Sequence, residues 1–80
     1  MFKVYVVKQK RGGIEVLKDT RSATPSRTAA LAAWADLYAR PFDARHLLLL
    51  TEDGTKRAAH RFQAQPGDPD YLPPGDPLEP

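Results

Sequence analysis

The chain has 80 residues, with 12 Lys and Arg against 10 Asp and Glu, and no cysteine. That length allows one domain with a modest core, and the missing cysteines exclude a disulfide framework, a thiolate nucleophile and a cysteine-bound metal. No apolar run approaches the roughly 20 residues a membrane span needs, and the stretch at residues 1–8 is too short for a signal peptide, so a cytoplasmic protein without membrane contact is expected.

From Phe2 to Lys8 apolar and polar residues nearly alternate, with β-branched and aromatic types throughout. A second short run, Ile14 to Lys18, follows Gly12 and Gly13, and the pair reads as a hairpin. Phe2, Val4, Val6, Ile14 and Val16 are expected to lie under a helix, leaving Tyr5, Val7 and Leu17 on the opposite face. Asp19 to Ala23 is polar and reads as a connection. Lys18, Arg21 and Arg27 add positive charge where the helix begins, a place that already favours an anion.

The one long helical signal runs from Thr24 to Arg40. Thr24 can cap it, Pro25 suits the first turn, alanine fills the interior and Pro41 stops it. At 100° per residue Ala30, Leu31, Trp34, Ala35, Leu37 and Tyr38 share a stripe, which makes Trp34 the expected centre of the core. Asp36 and Arg40 can pair on the outer face.

Arg45 to Thr51 carries four consecutive leucines, the pattern of a strand buried on both faces. The sequence Thr51-Glu52-Asp53-Gly54-Thr55 reads as a three-residue hairpin connection into a last strand, Lys56 to Phe62. Thr51 would then face Thr55 and His46 would face His60. Leu48, Leu50, Ala58 and Phe62 fall on one side, and Leu47, Leu49, Arg57, Ala59 and Arg61 on the other. Two histidines without a carboxylate or thiolate partner make a poor metal site, so cross-strand packing is the expectation for them.

The result is an α+β domain over residues 1–62, of order β-β-α-β-β, with one helix packed on a mainly antiparallel four-stranded sheet. Residues 63–80 change character. Pro66-Gly67-Asp68-Pro69 recurs as Pro74-Gly75-Asp76-Pro77, and a disordered or extended proline-rich tail is expected. Charge divides at the same boundary: all 12 Lys and Arg precede residue 63, whereas Asp68, Asp70, Asp76 and Glu79 follow it. An acidic tail can fold back on a basic body or serve as a peptide for another protein, with Tyr71, Leu72 and Leu78 as its anchors.

No catalytic, cofactor or metal constellation has convincing spacing. Glu52 and Asp53 lie in a turn, Ser22 and Ser26 have no visible base, and His46 and His60 no nucleophile. The expected function is therefore a small non-enzymatic protein-interaction or adaptor module, because one helix cannot cover both faces of an apolar sheet. Tyr5, Val7, Leu17, Leu47 and Leu49 are the candidate contacts for a protein partner or a homodimer. The alternative is nucleic-acid binding through Lys8, Lys10, Arg11, Lys18, Arg21, Arg57 and Arg61. Abundant alanine, arginine and proline suggest a GC-rich bacterial genome. At the level of fold alone, residues 1–62 resemble compact accessory proteins of bacteriophages and other mobile elements, some of them inhibitors.

Overall fold

The computed structural model describes residues 1–79. Its elements are β1 (Phe2–Lys10), β2 (Gly13–Val16), β3 (Ser22–Thr24), α1 (Arg27–Tyr38), β4 (His46–Glu52) and β5 (Thr55–Arg61). All pairings are antiparallel, in the order β2-β1-β4-β5, and β3 joins β1 on the same side as β2. The α+β fold, with one helix on an antiparallel sheet, is the expected one, extended by a fifth strand that the polar sequence around Arg21 concealed. The leucine strand β4 lies inside the sheet, paired with β1 on one side and β5 on the other.

β1 meets β2 at Val7–Lys10 and β3 at Phe2–Val4, which leaves a break in the ladder beside Tyr5 and Val6. A single 3-10 turn, Lys18–Thr20, fills it. The buried Thr20 hydroxyl accepts the Val6 amide at 3.0 Å and donates to the Leu17 carbonyl at 2.6 Å, while the Leu17 amide donates to the Val6 carbonyl at 2.9 Å. One threonine side chain thus substitutes for a ladder bond at the centre of the edge, where an unpaired buried amide would be costly.

Two hairpins differ from expectation, and both differences follow from turn chemistry. The first turn is the two residues Arg11 and Gly12, with Gly12 at φ 89° and Gly13 already paired to Lys10. Val16 therefore faces Val7 and Ile14 faces Gln9, so Ile14 and Val16 lie on the side away from the helix, while Leu17 packs on the core beneath it. Each is on the face opposite to the expected one, because strand side chains alternate with period two.

The β4–β5 turn is likewise two residues, Asp53 (φ 50°) and Gly54 (φ 84°), not three. A turn left-handed at both positions matches the twist of the flanking strands. Asp53 is held there by the N-terminus: its amide donates to the Met1 carbonyl at 2.9 Å and its carboxylate takes the Met1 ammonium at 2.7 Å. Glu52 faces Thr55 and Thr51 faces Lys56, then a bulge at Arg57 puts Leu50 opposite Ala58. Turn and bulge together displace the leucines by two residues from the expected register. Two is a full side-chain period, so the faces stay as expected while the partners change. His60 faces Leu48, and His46 faces Lys8 on β1; the expected His46–His60 pair is not formed.

The helix is shorter than its sequence signal. Thr24 is drawn into β3 opposite Phe2, and Ser26 becomes the cap, its Oγ accepting the Ala29 amide at 3.1 Å. Ala30, Trp34 and Leu37 are the buried line of α1, packed on Val4, Val6, Leu48, Leu50, Ala58 and Phe62. Trp34 is 1% exposed, as befits the centre of the core. Ala33 packs beside this line, whereas Ala35, expected within the stripe, is exposed. Arg40 pairs with Asp36 at 2.8 Å.

Residues 63–79 form only turns and bends, and they lie back against the body. Leu72 and Leu78 pack on the core, the Arg61 amide donates to the Asp70 carbonyl at 2.8 Å, and Asp76 reaches Arg27 at 3.2 Å. A carboxylate thus meets Arg27, one of the cations expected near the start of α1, and this chain supplies it.

Candidate functional site: the helix-free face of the sheet

The side of the sheet turned away from α1 is built by the other half of each strand's alternation. β1 contributes Lys3, Tyr5, Val7 and Gln9, and the registers place Leu47 and Leu49 of β4, Ala59 and Arg61 of β5, and Ile14 and Val16 of β2 beside them. Tyr5 faces Leu49, Val7 faces both Leu47 and Val16, and Leu49 faces Ala59. These pairings make one apolar strip across four strands. Among the described residues no helix lies on it, since the buried side chains of α1 all belong to the core on the other face.

Within the strip Val7 is only 2% exposed, covered by its neighbours, so it supports the surface without presenting itself. Tyr5, Leu47 and Leu49 are half-buried, Val16 is 37% exposed and Ile14 is 64% exposed. Of the five residues singled out from sequence, the structure brings Tyr5, Val7, Leu47 and Leu49 together here and puts Leu17 on the other side. Ile14 and Val16 take its place. The two-residue turn at Arg11 and Gly12 was the signal that could have found them.

The rim is polar. Arg61 lies at one end, its guanidinium donating to Gln9 Oε1 at 2.8 Å, the Ala44 carbonyl at 3.1 Å and Asp70 Oδ2 at 3.2 Å. At the other end Lys3 and Arg21 join Tyr5, Val16, Ser22 and Ala23 around an open groove of about 350 Å³. It sits below the break between β2 and β3.

The remaining basic residues do not join this groove. Lys8, Lys10 and Arg11, with Gln9 and Arg45, line a separate hollow of about 450 Å³ at the first hairpin. Lys3 and Lys10 are seven strand positions apart, about 23 Å at the usual rise, well beyond the roughly 8 Å over which exposed charges act at physiological salt. Lys10 is paired with Glu15 at 2.9 Å, Arg57 with Glu52, and Arg61 with Asp70. The Lys10 ammonium also holds the exposed Glu15 carboxyl below its usual range, by hydrogen bond first and charge second. Lys18 is exposed on the 3-10 turn.

Comparison with protein-family models, with curated proteins and with solved structures finds no match for this chain.

Apart from Ser22, which lines the groove beside Tyr5, the polar residues weighed for catalysis have local partners. Ser26 caps α1, Asp53 takes the Met1 ammonium and Glu52 takes Arg57. His46 Nδ1 donates to Asp43 at 2.8 Å beside the Phe42 ring, and His60 lies on the helix side, stacked on Tyr38 with ring centres 4.3 Å apart. Among the described residues no three His, Asp or Glu side chains gather to hold a metal ion, and no helix is long and apolar enough to cross a membrane.

Proposed function

We propose that the protein is a small non-enzymatic interaction module that pairs with a second copy through the helix-free face of its sheet. One observation carries this reading: Ile14, Val16, Tyr5, Leu47, Leu49 and Ala59 form a contiguous apolar strip across four strands, uncovered by any helix among the described residues. An unpartnered apolar sheet face is most economically covered by a like face, two sheets packing about 10 Å apart.

The size of the face bounds the affinity. Over seven residues of β1, β4 and β5 and the four of β2, with strands about 4.8 Å apart, the face presents roughly 400 Å² per copy, or about 800 Å² in total. That lies below the roughly 1,200–2,000 Å² of a standard stable interface, so the pairing is weak and concentration-dependent. An accessory or inhibitor role for a bacterial mobile element, in the cytoplasm, belongs to the same proposal and rests on size and composition alone.

Sedimentation velocity from about 10 μM to 1 mM tests it, since a weak interface of this class dissociates in the micromolar range. The wild-type chain is expected to move from monomer to dimer, and Leu49→Glu, on the face away from the core, to stay monomeric with an unchanged circular dichroism spectrum. A wild type that remains monomeric throughout, or a dimer indifferent to Leu49→Glu, overturns the reading. The second reading, single-stranded nucleic acid stacked on Tyr5, is favoured by Lys3 and Arg21 beside that ring. It predicts binding to a short oligonucleotide that weakens steeply with salt and is lost in Tyr5→Ala.

A further inference from the structure

His60 is the one imidazole set into the junction between the body and the C-terminal segment. It is 5% exposed, its ring stacks on Tyr38 of α1 at 4.3 Å, and Tyr71 meets it edge-on at 5.6 Å. The peptide at Leu72 is clamped at both ends: its amide donates to His60 Nδ1 at 3.0 Å, and its carbonyl accepts the Tyr38 hydroxyl at 2.6 Å. Leu72 and Leu78 then pack on the core, and residues 74–76 run beside Leu31, Trp34, Ala35, Tyr38 and Ala39, bordering an apolar groove of about 410 Å³.

An amide can only donate, so His60 Nδ1 must offer a lone pair, and the docked segment requires the neutral ring with its proton on Nε2. A second proton turns Nδ1 into a donor aimed at a donor. We propose that residues 70–78 form a strap docked reversibly along α1, and that protonation of His60 releases it.

The surroundings give the imidazolium nothing in exchange. Tyr38 faces it from α1 and Tyr71 from the strap, Leu48 opposes it on β4, and Phe62 lies 5.9 Å away on its own side of the chain. Among the described residues no carboxylate is bonded to it; Asp70 is turned to Arg61, Asp76 to Arg27, and His46 to Asp43. Burial accordingly holds the His60 imidazole below its ordinary value, and it pushes the Tyr38 phenol up, keeping that hydroxyl a donor.

The direction follows from linkage. The released state binds the proton more readily than the docked one, so docking is at full strength above about pH 6.5 and weakens as pH falls below it. One proton changes the opening equilibrium by at most about tenfold per pH unit until the docked ring itself is protonated. Release bares Tyr38 and Phe62 and takes Leu72 and Leu78 off the core, on the side opposite the self-pairing face. Asp70, bonded to Arg61, is where the strap touches the rim of that face.

Amide hydrogen exchange by NMR on the full chain, from pH 7.5 to 5.0 and corrected for intrinsic rates, reads the opening equilibrium at Leu72. Its protection is expected to fall by up to about tenfold per pH unit below about pH 6.5 while the β1 and β4 amides hold theirs. His60→Gln, whose Oε1 accepts at every pH in this range, is expected to abolish that dependence. Leu72 protection that stays flat with pH, or that falls equally in a folded His60→Gln, overturns the proposal. Should His60→Gln not fold, Tyr38→Phe in its place must raise opening at every pH and leave the pH slope unchanged; a lost slope overturns it.

Discussion

Replacing Thr20 by valine keeps the shape of a buried side chain and removes the hydroxyl that closes the break in the sheet edge. Thr20 is 7% exposed, and its oxygen is the acceptor for the Val6 amide at 3.0 Å. The Leu17 carbonyl loses the Thr20 hydroxyl as well but keeps the Thr20 backbone amide at 3.0 Å, so it is not orphaned. The Val6 amide is left with no partner. Val6 is fully buried in the middle of β1. A buried donor left unmade costs about 1–3 kcal/mol, and valine adds little apolar burial in return, because the threonine methyl is already there. For a domain of this size 2 kcal/mol corresponds to a fall in Tm of roughly 8–16 °C. Thermal and urea unfolding of Thr20→Val measure the effect, with an unchanged urea slope showing that the folded state is the same. A loss under about 0.5 kcal/mol would refute the argument that this hydroxyl is a structural substitute for a ladder bond.

Two further predictions concern turns and charge. Gly54→Ala is expected to destabilise by about 1–2 kcal/mol, although a Cβ there meets nothing within 4 Å, because φ is 84°. Gly13→Ala meets equally open space without a left-handed backbone and should be neutral or stabilising in the same unfolding assay. The Arg45 amide, and after it His46, hold the exposed Asp43 carboxyl below its usual range. A lowered carboxylate stabilises fully above its unfolded value near pH 4 and fades as pH falls through the folded one, so Asp43→Asn should flatten the acid limb of the stability profile measured by urea unfolding.

Local signals in the sequence determined the helix, four of the five strands, their order and the centre of the core. The spacing of Ala30, Trp34 and Leu37 defines one helix, the alternation through Val4 and Val6 defines a strand, and four leucines in a row place β4 inside the sheet. These depend on side-chain periodicity, a property of neighbouring residues. Tertiary structure decided which residues meet across strands. Two-residue turns, left-handed at Gly12 in the first and at Asp53 and Gly54 in the second, and a bulge at Arg57 moved partners by one or two places, so Ile14 and Val16 came onto the helix-free face, Leu17 left it, and the two histidines parted. It also decided that Thr24 serves a strand and Ser26 the helix, since Phe2 offered Thr24 a pairing that no local preference contains. Where an acidic tail comes to rest is the least local question of all. It depends on a groove between α1 and β5, and on an acceptor at His60, that exist only after the domain has closed.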